Sequence, residues 1–328
     1  MKKLYILSAA LILAAICLCA CGNATDDKAL TGEGLSIVTT IFPEYDWVMN
    51  VLGDNPAGAS VTMLLDTGVD LHSYQPTAAD IVKVSNCDIF IYVGGESDEW
   101  VEDALKEATN SDMIVIDLLD ELGDAVKEEE LVEGMEGEEE EEEGEEEEGP
   151  EYDEHVWLSL KNAAVLTDVI AEAVAKADPD NADTYRENAS SYIDALNALD
   201  AEYESAISSS DTNVLLFGDR FPFRYLTDDY NLDYYAAFIG CSAETEASFE
   251  TITFLAGKVD ECGLTSIMTI EGSDKKIAET IRDNTSSKNQ EIRTLDSMQS
   301  VTSEDVKNGA SYLNIMEENL NVLKSALN

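Results

Sequence analysis

Short β-branched or aromatic runs alternate along this chain with longer stretches whose apolar positions recur every three or four residues. Residues 35–40, 60–65, 89–93 and 113–118 read as strands. Helical patterns at 43–52, 77–85 and 98–108 follow the first three, the last with Trp100, Val101, Ala104, Leu105 and Ala108 on one stripe. The alternation resumes at residue 214. Strands are predicted at 214–217, 233–238, 266–270 and 291–295, interleaved with a helix or turn at 221–230, helices at 248–261 and 275–283, and a closing helix within 306–327. Such alternation predicts an α/β fold with mainly parallel sheets covered on both faces. Between the two series lie helical stretches at 160–177 and 179–208, broken at Asp178-Pro179. The second carries Tyr185, Ala189, Tyr192, Ile193, Leu196, Leu199 and Tyr203 on one stripe. Roughly thirty residues at 1.5 Å each would reach about 45 Å, more than one small lobe needs. It is read as a rigid strut (179–209) joining an N-terminal lobe (35–178) to a C-terminal lobe (210–328), with a ligand cleft between them.

Charge narrows the class of partner. The 328 residues carry a formal net charge of −50, so a nucleic-acid partner is excluded on repulsion, and cations are the natural guests. Much of the charge sits at 128–154, which holds no lysine or arginine and includes an unbroken glutamate run at 138–143. This segment is expected to be a solvated acidic loop. Residues 1–20 read as an export signal, with Lys2 and Lys3 ahead of an apolar core and Leu18-Cys19-Ala20-Cys21 at its end. That ending resembles a bacterial lipobox, which implies a lipid on Cys21 and a polar tether over 21–34. Cys87, Cys241 and Cys262 remain, an odd number at spacings that match no metal or redox pattern. A Cys241–Cys262 disulfide is conceivable outside the cell.

Candidate chemistry gathers at strand ends, where open α/β sheets bind ligands. The chain has two histidines: His72 in GVDLHSYQPTAADI and His155 in DEHVWLSLKNA. Both follow strand-like runs, which suggests one shared site. Asp219 in FGDRFPF, and Glu271 with Asp274 in TIEGSD, are the carboxylates in comparable loops. Imidazole with carboxylate suits zinc or manganese. Asp274 could instead cap the helix that follows. Asp219 could pair with Arg220 or Arg224, or orient a ligand from behind it. The aromatic group from Phe217 to Phe238 is expected to be mainly core.

The two histidine motifs, the low-complexity acidic insertion between them, TTIFPEYDWV near the start and the long helix containing YIDALNALDAEY together resemble the zinc and manganese substrate-binding lipoproteins of bacterial ABC importers, the ZnuA-like cluster A-I family. The resemblance implies a non-catalytic, extracytoplasmic, lipid-anchored monomer that carries Zn2+ or Mn2+ to a membrane permease, with His72 and His155 as the first two ligands. A surface-anchored hydrolase using the same site is the alternative. In the family a third histidine lies in the stretch matching Phe217-Gly218-Asp219, so glycine stands in its place. The last ligand, a carboxylate, matches Glu271 or Asp274 according to where the alignment is anchored. The glutamate-rich loop replaces a histidine-rich one and is either a weak cation collector or a solvated insertion.

Overall fold

The computed structural model describes residues 34–137, 151–241 and 246–328. The export signal at 1–20, Cys21, nearly all of the tether and the glutamate run at 138–143 lie outside the described residues. The first sheet comprises β1 (Ser36–Thr39), β2 (Ser60–Met63), β3 (Ile89–Tyr92) and β4 (Ile114–Asp117), all parallel in the order β2-β1-β3-β4. Its helices are α1 (Phe42–Leu52), α2 (Ala78–Asn86), α3 (Trp100–Lys106) and α4 (Leu118–Leu122). Ile89, Phe90 and Ile91 of β3 are all fully buried, as expected of an inner parallel strand covered on both faces. Local chemistry fixes the helix starts. At α1 the Glu44 carboxylate accepts from the backbone N–H of Thr40 and Ile41, at 2.7 and 3.2 Å. At α2 Thr77 and Asp80 form a reciprocal capping box.

Helices α5 (Leu160–Ala177) and α6 (Ala182–Ser208) lead to the second lobe. The apolar stripe of α6 is buried from Tyr185 to Ile207. Its Tyr192 hydroxyl donates to Asp46 of α1 at 3.0 Å, and its Tyr203 hydroxyl to the Met316 carbonyl in the second half at 2.6 Å. One helix thus grips both halves of the chain. The second sheet comprises β5 (Val214–Phe221), β6 (Asp233–Ile239), β7 (Ser266–Ile270) and β8 (Glu291–Leu295), parallel in the order β6-β5-β7-β8. It is accompanied by α7 (Arg224–Asp229), α8 (Phe249–Cys262), α9 (Lys276–Asn284), α10 (Ser303–Lys307) and α11 (Tyr312–Ala326). The protein is therefore a two-lobe α/β fold with a long helix.

Two expectations need correction. Strand β5 does not end at residue 217 but runs through Gly218, Asp219 and Arg220, with a register shift between Phe217 and Arg220. A bulge absorbs these polar residues without ending the ladder. The described flanks of the acidic segment are irregular and partly exposed, as a loop would be, but they are anchored rather than wholly solvated. Glu128 pairs antiparallel with Tyr152, and Glu136 pairs parallel with Phe238 on β6. Met135, Asp153 and Glu154 are buried. The described residues up to 137 form a strap that leaves the first lobe and docks through Glu136 on β6, the outer strand of the second sheet.

Candidate metal centre

His72 lies in a single helical turn, Leu71–Ser73, after β2, and the turn is capped by the Asp70 carboxylate accepting from the His72 N–H at 3.1 Å. His155 precedes the short turn Val156–Leu158 at the return of the strap. Its backbone N–H and its Nδ1 both bond to one oxygen of Asp153, at 2.9 and 3.0 Å. The two elements bring the imidazoles together edge to edge, with Nε2 to Nε2 at 3.1 Å and the ring planes tilted by 57°. His72 Nδ1 meets the Ser97 hydroxyl at 2.8 Å, and the Ser97 amide donates to Glu154 at 2.9 Å. With both rings protonated at Nδ1, each would have an oxygen to receive that hydrogen and would turn an Nε2 lone pair toward the other. Lone pairs so close repel unless a proton or a metal ion lies between them. Tetrahedral zinc with bonds of 2.0–2.1 Å would set its nitrogens roughly 3.3–3.4 Å apart, close to the separation seen here.

Cys241, just past the end of β6, is the third member. Among the described residues its sulfur and one nitrogen of each imidazole form a group of possible metal ligands all within 4.8 Å of one another. Gly240 makes the approach possible, because a Cβ there would stand 3.0 Å from His155 Cε1. Cys241 and Cys262 are unpaired, so the conceivable disulfide is absent.

Electrostatics favour a cation. Burial, the neighbouring His155 and Arg220 push the His72 pKa down to about 3 against the pull of Asp70, so the ring is neutral. Burial acts in the same sense on His155, but Asp153 outweighs it, helped by Glu154 and Asp70, and the pKa is raised above the ordinary imidazole value. Burial and then the charges of Glu129, Asp153 and Glu154 push the Cys241 thiol far up. Burial also raises Glu154 and Glu129. These groups share one need, positive charge in their midst.

The other candidates from the sequence lie elsewhere. Glu271 directs one oxygen to the Ser297 N–H at 2.7 Å and the other to the Ser297 hydroxyl and the Gln299 N–H, tying β7 to the loop after β8. Asp274 is exposed, pairs with Lys276 and accepts from its backbone N–H at 3.0 Å, a local turn contact; the N-cap position of α9 is Lys275, so Asp274 does not cap the helix. Among the described residues neither belongs to the group of possible ligands around the imidazole pair, and each has its oxygens engaged within its own lobe. Asp219 accepts from the Arg220 and Ile270 N–H groups, and no bond to either histidine follows from its position. A Cβ on Gly218 would lie 2.6 Å from the Ala278 Cα of α9, so this position faces a helix and could not carry an imidazole to the cleft. Arg220 instead reaches across to Asp70, at 2.7 Å, beneath His72.

Residues 37–326 match the family described as ZnuA, zinc-uptake complex component A, periplasmic. The zinc-binding lipoprotein AdcA of Streptococcus pneumoniae is 32% identical over 330 residues, covering 99% of this chain and 61% of that protein. The chain thus spans about three fifths of the length of that curated relative. The high-affinity zinc uptake system protein ZnuA of Bacillus subtilis is 29% identical over 327 residues, 99% of this chain and 97% of that one. Among solved structures, the Zn(II)-bound ZnuA-like domain of S. pneumoniae AdcA is similar at a TM-score of 0.69 and 28% identity, covering 90% of this chain and 99% of that one.

Proposed function

Since the chain belongs to the ZnuA family of zinc-uptake components, we propose that it captures a divalent transition metal outside the cytoplasm and delivers it to the permease of an ABC importer. Zinc is the expected cargo, as the names of the relatives suggest. His72 and His155 hold it, one from the loop after β2 and one from the return of the strap. The lobes are taken as 35–178 and 210–328 about the joining helix at 179–209. The chain works as a monomer, anchored through lipid on Cys21. None of the relatives named here is an enzyme, and no feature of the site favours the hydrolase reading.

The observation that carries this reading is the pair of Nε2 atoms 3.1 Å apart, each ring fixed at its other nitrogen by Asp153 or Ser97. Side chains that fix the far nitrogen of a ligand imidazole set its tautomer and orientation before the ion arrives. Elemental analysis of the purified protein, followed by competitive zinc and manganese titration, tests it. One zinc per chain is expected. His72→Ala should weaken binding by orders of magnitude while leaving the unfolding transition of the metal-free protein in place. Zinc retention by that variant at unchanged affinity would remove the reading.

A further inference from the structure

We infer that Cys241 is the third metal ligand, and that its thiolate makes the site select zinc over manganese. This rests on the reading of the imidazole pair as the capture site. It replaces the oxygen donor expected from Glu271 or Asp274 with sulfur supplied by the end of β6. Three features of geometry support it. The sulfur shares a 4.8 Å neighbourhood with nitrogens of both histidines, although the three come from separate parts of the chain. Gly240 spares His155 and the Phe221 carbonyl a crowded Cβ contact at 3.0 Å, so the end of β6 lies close against the imidazole. The two carboxylates that sequence places at the far lobe's strand ends are engaged within that lobe.

The chemistry follows from donor softness. Two imidazoles and one thiolate form a set suited to tetrahedral zinc, with Zn–N near 2.0–2.1 Å and Zn–S near 2.3 Å. The corresponding N to S edge is about 3.5 Å, so closure asks the sulfur to move by the order of an ångström. Manganese prefers oxygen donors and a higher coordination number, and gains little from sulfur. On binding, the S–H bond breaks, its proton passes to solvent and the freed electron pair forms the S–metal bond. Asp70, the carboxylate next to His72 in the loop, has its oxygens engaged by Arg220 and the His72 N–H rather than free to lend a hard donor.

Co2+ is the probe, because sulfur ligation gives an intense near-ultraviolet charge-transfer band, whereas imidazole ligation gives only weak visible bands. Wild-type protein loaded with Co2+ should show both. Cys241→Ser should lose the near-ultraviolet band, keep bound cobalt, and lower zinc affinity by more than the roughly 10–100-fold typical of losing an outer partner of a ligand. Its preference for zinc over manganese should fall at least about tenfold. Cobalt-loaded wild type without the near-ultraviolet band would overturn Cys241 ligation while leaving capture by the histidines intact. An unchanged zinc-to-manganese ratio in Cys241→Ser would overturn the selectivity. Failure of the wild type to take up cobalt or zinc at all would instead sink the capture reading beneath it. Thermal unfolding of the metal-free variant separates loss of ligation from loss of fold.

Discussion

His155 and Asp153 make the metal site sensitive to pH in a defined direction. A metal displaces the proton from an imidazole, so a raised pKa means stronger competition from protons. The His155 pKa lies above the ordinary 6.5. Zinc affinity should therefore begin to fall before the pH reaches 6.5 on the way down from 8. The onset lies higher than an ordinary histidine would give. His72, held at about 3, adds no competition of its own in that range. Asp153→Asn removes the charge that lifts His155, so the onset should move to lower pH while affinity drops roughly 10–100-fold. Calorimetric titrations of both proteins between pH 5.5 and 8 check this, and superimposable profiles would count against the Asp153 contact. The two histidines could be read from sequence because the chain has so few and both follow strand-like runs. Cys241 could not, since cysteine spacing signals only ligands that are neighbours in sequence, and this one meets the others through the fold. Strand-end placement located Glu271, but the bonds its oxygens make to Ser297 and Gln299 were not legible, because those partners come from a separate loop.

At the level of elements, hydrophobic periodicity was the clearest text: the β-branched runs announce the strands and the three-to-four-residue stripes the helices, while the Thr77–Asp80 capping box that starts α2 emerged only from the structure. The extension of β5 was hidden, because Gly218-Asp219-Arg220 has the composition of a turn while the bulge keeps it in the ladder. Gly218 also shows how a strand meets its covering helix. Without a Cβ there, β5 and α9 approach more closely than any side chain would permit. Gly218→Ala should overpack that contact and destabilise the protein by about 1–3 kcal/mol. Zinc stoichiometry should stay unchanged, since the position faces away from the imidazoles. Urea unfolding and metal analysis on the same sample measure both effects, and an unaltered midpoint would contradict the packing argument.

The architecture of the whole molecule was legible because alternation of two hydrophobic periods survives over its full length. The strap was not, since a run rich in glutamate carries no apolar period to betray pairing. What pins it is mostly backbone. Lys127 N–H donates to the Tyr225 hydroxyl, Asp153 N–H to the Lys127 carbonyl, and Glu136 N–H to the Ala237 carbonyl, at 3.1, 2.9 and 2.9 Å. Hydrogen exchange should find the amides of Glu136 and Ile239 protected, and exchange at the rate of an unstructured peptide would refute the docking. The docking has a further consequence. β6 is the outer strand of its sheet, and an outer strand with unpaired amides is a template for another chain. Glu136 fills part of that row through its bridge to Phe238, so a chain cut back through the strap would be expected to expose the border and to aggregate along it.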